Sequence, residues 1–182
     1  MHLRPGTKED LDDMCLLIEK AVERMTDHGI YQWDELYPTR KDFSDDIDSN
    51  TLYAAIEDDM IVAICVISRE CEEEYHMCRW DNPDESSCVL HRFCVSPDHQ
   101  NRGIGSLVLS LIEEQALSMG YTSVRLDVFS GNRYALKLYE KNGYEKRGHA
   151  IWRKGLFFIM EKTLSPQTRS GADREKVHVC AY

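Results

Sequence analysis

Hydrophobic and polar positions recur along most of the chain with one of two periods, so its elements can be read in order. Residues 2–4 make a short strand stopped by Pro5 and Gly6, and Thr7 followed by Asp10 has the spacing of a capping box. Leu11, Met14, Cys15, Ile18, Ala21, Val22 and Met25 then recur at helical spacing, which predicts a helix to about Met25 with one apolar face turned to a sheet. Residues 26–50 are mixed: aromatic Tyr31, Trp33 and Tyr37 precede a short amphipathic stretch around Phe43 and Ile47. Two β-rich runs, 52–57 and 60–68, are separated by Asp58-Asp59 and read as a hairpin.

Residues 69–87 follow neither period. Structureless stretches longer than about 12–15 residues in a compact domain are usually functional or disordered, and Tyr75, Met77 and Trp80 argue against disorder. A strand resumes over 88–95 until Pro97. Ile104, Leu107, Val108, Leu111, Ile112 and Ala116 trace a helix ended by Gly120. Val124, Leu126 and Val128 alternate as a strand, and Ser130-Gly131-Asn132 opens a helix carrying Ala135, Leu138 and Tyr139 that Asn142-Gly143 stops. Two strands follow over 144–150 and 156–162. The order β-α-(α)-β-β-β-α-β-α-β-β predicts an α/β sandwich on a mixed sheet. One domain over 1–164 and a flexible tail over 165–182 are expected.

A chain of 182 residues can bury roughly 70% of its unfolded surface in one core. Its 22 Lys and Arg against 32 Asp and Glu give a net charge of -10, which disfavours phosphate-tracking surfaces, so a nucleic-acid partner is not expected. No apolar run approaches a signal peptide or the ~20 residues of a membrane span, so no membrane partner is expected and the cytoplasm is the default compartment. Seven cysteines without paired or zinc-like spacing read as reduced, mostly buried thiols, and no metal is expected.

The segment 93–105 runs strand, break, then a glycine-punctuated turn opening an amphipathic helix. A helix N-terminus offers unpaired N–H groups and a positive dipole end, and glycines admit a pyrophosphate close to the backbone. A lone Gly-x-Gly more often serves only a turn. A Walker A motif is excluded because no Gly-Lys-Ser/Thr follows, and Val108 stands where a Rossmann fingerprint needs its third glycine. What remains, Gln100-Asn101-Arg102-Gly103-Ile104-Gly105, resembles the acyl-CoA motif of the GNAT superfamily, Gln/Arg-x-x-Gly-x-Gly/Ala. The downstream segment from Asn132 through Tyr139 to Gly143-Tyr144 is similar to the helix that supports the cofactor in that family, and Tyr31-Gln-Trp-Asp-Glu-Leu-Tyr37-Pro looks like a motif of its uncharacterised bacterial members.

The resemblance implies a mostly antiparallel mixed sheet flanked by helices and splayed at an acyl-CoA site. It implies acetyl-CoA as co-substrate, held by Phe93, Cys94 and Val95 through their backbone, by Gln100, Asn101, Arg102, Gly103, Ile104, Gly105 and Ser106, and by Asn132 and Tyr139. In the family such a Tyr gives a proton to the leaving thiolate; from a phenol of pKa ~10 to a thiol of ~8.5 this is uphill by ~2 kcal/mol. Taken alone, Tyr139 on an apolar helix face reads as core. Candidates for the general base are His91, Glu85 and Asp127. His91 and Arg92 are expected on opposite faces of their strand, and Asp127 on the face away from Val124, Leu126 and Val128, paired with Arg125 or Arg92. Trp33, Tyr37, Tyr75, Trp80 and His91 are the candidate acceptor residues, with hydrophobic cover of the helices the equal alternative for the aromatic four. The implied activity is direct acetyl transfer to a primary amine of a small molecule. A protein or peptide acceptor, or a non-catalytic acyl-CoA-binding regulator, is the alternative, and a homodimer is left open.

Overall fold

The computed structural model describes residues 1–100 and 103–165. Its elements follow the order read from the sequence: β1 (His2–Pro5), α1 (Leu11–Asp27), α2 (Arg40–Asp48), β2 (Leu52–Glu57), β3 (Met60–Ser68), β4 (Ser87–Val95), α3 (Ile104–Ser118), β5 (Ser123–Phe129), α4 (Arg133–Lys141), β6 (Glu145–Trp152) and β7 (Gly155–Thr163). The expected tail, apart from Ser165, lies outside the described residues, as do Asn101 and Arg102. Among the described residues no helix is long and apolar enough to cross a membrane.

Local chemistry starts the chain as its spacing suggests. The Thr7 N–H donates to Asp10 Oδ2 at 2.8 Å, and Arg4 grips the same carboxylate at 2.7 Å, which ties β1 to the start of α1. The seven strands form one sheet in the order β1-β2-β3-β4-β5-β7-β6, antiparallel at every junction except β4–β5. Alternation sorts the side chains to two faces. One face, with Cys88, Leu90, Val124, Leu126 and Val128, packs on α3 and α4. The other packs on α1 and α2 through Ala54, Ile64, Val66 and Cys94. On that second face, beyond β4, residues 69–86 take the place of a helix. They form two short 3₁₀ turns, Glu73–Met77 and Asp84–Ser86, and Tyr75 packs with Val89, Ala150 and Ile159. The segment without periodicity is therefore an ordered layer whose aperiodic turns leave no repeating signal.

Candidate active site

The site is made by a failure of pairing. The parallel partners of β4 and β5 run from Ser87 and Ser123 to Leu90 and Leu126, and there the ladder stops. On the other side β4 stays paired to β3, with Val66 opposite His91 and Ile64 opposite Cys94. Arg92 and Phe93 thus share the place opposite Cys65, a β-bulge that bends β4 away from β5.

The bulge also overturns the expectation that His91 and Arg92 face opposite ways. Arg92 sits at φ +49, which breaks the alternation. Both side chains lie on the α1/α2 face: His91 Nε2 is 2.9 Å from Glu70 O, and Arg92 donates to both oxygens of Asp46 on α2 at 2.7 and 2.5 Å. A further Arg92 nitrogen donates to the Tyr37 hydroxyl at 2.7 Å. The strained backbone persists because this bidentate pair fixes the side chain.

Between the diverging strands opens a cleft of about 540 Å³, bounded by α1, the start of α3 and α4. Phe93, Cys94 and Val95 form its β4 wall. The Ser96 N–H donates to Val62 O at 2.8 Å, so by alternation the Val95 N–H and C=O point away from β3 and into the splay. Cys94 is the residue whose backbone faces β3, contrary to an equal backbone role for both. Gln100 also borders the cleft and donates from Nε2 to Val95 O at 3.0 Å.

The α3 end of the cleft carries Gly103, Gly105 and Ser106. Gly103 is left-handed at φ +79, and among the described residues no side chain caps the N–H groups that follow it. Gly105 serves packing: a Cβ there would stand 3.1 Å from Leu138 Cδ2 and would press on that side chain where α3 and α4 meet. Ile104, buried against the sheet, belongs to the core rather than to the cleft wall. Asn132 caps α4 by accepting from the Ala135 N–H at 3.1 Å, and its Nδ2 reaches Gln32 Oε1 across the cleft at 3.0 Å. Four basic side chains that no motif marked also line the cleft: Arg24 and His28 from the α1 side, Lys137 and Lys141 from α4.

At the inner end stand Asp127, Tyr139, Cys94 and Trp33. Asp127 lies on the face expected of it, but it pairs with neither arginine. Arg92 holds Asp46, while Arg125 holds Asp84 and Asn82 O, with its guanidinium 3.9 Å from the centre of the Trp80 ring. Asp127 Oδ1 instead accepts from the Tyr75 hydroxyl at 3.0 Å. Burial pushes its carboxyl up to about 6, against the opposing pull of that hydrogen bond. Burial also pushes the Cys94 thiol up to about 12 and holds the Tyr139 phenol well above its ordinary value, with Asp127 adding to the latter. Tyr139 packs edge-on to Tyr144, ring centres 5.6 Å apart.

Of the aromatic acceptor candidates the cleft wall includes Trp33 alone. Tyr37 stands behind it on Arg92, Tyr75 reaches the cleft only through Asp127, and Trp80 lies beneath Arg125, donating from Nε1 to Tyr75 O at 3.0 Å. His91 is turned to Glu70, outside the wall. Glu85 sits before the start of β4, at the opposite end of the strand from the splay. The loop carrying Trp33 is fastened at Asp34, which takes both Arg153 nitrogens at 2.7 and 3.0 Å and also Lys154.

Residues 17–144 match the model of the acetyltransferase (GNAT) family. The fold is similar to a GNAT-family acetyltransferase from Streptococcus agalactiae, at 26% identity and a TM-score of 0.78 over 91% of this chain and 96% of that one. It is also similar to a ribosomal-protein-alanine N-acetyltransferase from Brucella melitensis, at 18% identity, TM-score 0.64, 90% of this chain and 100% of that one. AAC(6')-Ib, solved in complex with paromomycin and acetyl-CoA, shares the fold at 18% identity, TM-score 0.68, 94% of this chain and 98% of that one. No curated protein matches the sequence. A match over most of the chain, on a sheet that splays where the glycine turn and α4 converge, makes this chain a member of the GNAT acetyltransferase family, an N-acetyltransferase that draws its acetyl group from acetyl-CoA.

Proposed function

We propose that the chain transfers acetyl directly to a primary amine of a small molecule, with Asp127 as the general base. The reading rests on one observation above all: a half-buried carboxylate, free of any cationic partner among the described residues, lines the cleft near Tyr139. An alkylammonium of pKa about 10 must lose a proton before it attacks. A carboxylate near 6 takes that proton more readily than one at 3.8, and at neutral pH it is still mostly ionised. The carboxylate also attracts the cationic form of the acceptor.

The residues present suit acetyl-CoA, which supplies an activated thioester carbonyl. The uncapped N–H groups after Gly103 suit its pyrophosphate, and Arg24, Lys137 and Lys141 answer its phosphates in a chain of net charge -10. Asn132 belongs to the same wall. The Val95 N–H, turned into the splay, suits a developing oxyanion. Tyr139, kept protonated by its burial, is the proton source for the leaving sulfur, a transfer that the raised phenol makes more uphill than from an ordinary tyrosine. Cys94 takes no covalent part, because a thiol near 12 is almost never a thiolate at neutral pH.

A small acceptor fits a cleft end bordered by the loop that carries Trp33 and backed, behind Asp127, by the 73–77 turn. The 31–38 loop is fastened to Arg153 and Lys154, and the 73–77 turn sits beneath Asp127. The test is acetyl-CoA turnover against amino acids, polyamines, aminoglycosides and lysine-bearing or free-N-terminus peptides. Turnover of at least one small amine is expected. Turnover of peptides alone would overturn the small-molecule reading.

A further inference from the structure

We infer that Tyr75 is a positioning residue for catalysis: its hydroxyl, fixed by a buried ring, orients the Asp127 carboxylate and keeps it ionised at working pH. The inference rests on Asp127 being the base. Its carrier is a contact across 52 positions of sequence, from an aperiodic turn to β5.

Tyr75 is 1% exposed, and every part of it is held. Its ring packs with Val89, Ala150 and Ile159 and lies 5.8 Å from the Trp80 ring. Its carbonyl takes the Trp80 indole N–H at 3.0 Å. Trp80 is pinned by Arg125 stacked at 3.9 Å, and the next residue, Asp81, donates its N–H to the buried Glu161 carboxylate at 2.9 Å. With the ring immobile, the hydroxyl is delivered to one place, Asp127 Oδ1 at 3.0 Å. The carboxylate that lines the cleft is thus tethered at one oxygen from outside it.

The titratable and charged groups that face Asp127 are Tyr75 and Glu72 from the 69–86 layer, Tyr139 from α4, and Tyr37 from the 31–38 loop. Arg92 lies next beyond Tyr37 and is taken up by Asp46. Among these, only the Tyr75 hydroxyl donates a hydrogen bond to the carboxylate and favours its charged form; burial and Glu72 favour the neutral acid. Tyr75→Phe keeps the ring and removes that donor, so Asp127 must ionise at higher pH.

The experiment is the pH dependence of kcat/KM for the best small amine, in wild type, Tyr75→Phe and Asp127→Asn, with acetyl-CoA KM and melting temperature measured alongside. A hydrogen bond to a charged group corresponds to a shift of about one to two pH units. The acid limb should move up by that much in Tyr75→Phe, with acetyl-CoA KM unchanged and the rate recovering at high pH. A role in packing alone would lower the melting temperature or the rate at every pH and leave the limb in place, which overturns the proposal. If Asp127→Asn keeps the wild-type limb, Asp127 is not the base, and the proposal falls with that reading. Should Tyr75→Phe fail to fold, Trp80→Phe, which lacks the N–H on the Tyr75 carbonyl, is read the same way: the limb moves up, or the proposal fails.

Discussion

Asp127 is costly to keep where it is, and that cost is measurable. Its carboxyl ionises near 3.8 when unfolded and at about 6 in the fold, because burial disfavours the charge. Between roughly pH 4 and 6 the folded chain therefore binds more protons than the unfolded one, and stability falls as pH rises through that window. Below it both states are protonated, and above it the full cost of the partly desolvated charge remains. Asp127→Asn removes the charge while keeping an acceptor for Tyr75. Thermal melting at pH 7.5 should rise by a few degrees above wild type, and the difference should close below pH 4. A lower melting temperature at pH 7.5 would mean that the carboxylate stabilises the fold. Arg92 shows a different compromise: a left-handed backbone held by Asp46 in exchange for a strand that bends open.

The elements differ in how they reach the site. β4 and β5 supply it by parting, α3 and α4 by meeting closely at Gly105, and the 31–38 loop by a surface fastening. Asp34→Asn removes the charge at the protein surface but keeps an acceptor for the Leu36 N–H, so the melting temperature should change little. It should nevertheless free the loop that carries Trp33, and acceptor KM should rise several-fold at constant acetyl-CoA KM. Steady-state kinetics in both substrates decide this; a rise in acetyl-CoA KM alone would assign the loop to the other end of the cleft.

The strands and α-helices were legible, the helices and β5 from their periods and the central strands β2 and β3, buried on both faces, from unbroken runs of β-favouring residues. The bulge was not, since His91-Arg92-Phe93 continues a strand pattern and only pairing with β3 reveals the extra residue. Nor was the partner of Asp127 legible: Tyr75 lies in a 3₁₀ turn, which repeats nothing, and the contact exists only once the layer over β4 to β7 has formed.

At the scale of the whole molecule, the excess of acidic groups and the basic cleft rim divide the labour. Thirty-two carboxylates against 22 cations repel polyanions in general, while Arg24, Lys137 and Lys141 gather positive charge at one cleft, where the proposed function puts the cofactor's phosphates. The glycine motif pointed to that cleft; the rim did not show in the sequence, because its members come from helices more than 100 positions apart and join only in the fold. The central claim is that a base at the end of this cleft draws the proton from the amine. The most direct measurement is kcat for acetyl transfer at pH 7.5 in wild type and Asp127→Asn, where chemistry limits the rate. A fall of ~10²- to 10⁴-fold with acetyl-CoA KM within a few-fold is the result expected, and an Asn variant that turns over at the wild-type rate would contradict it.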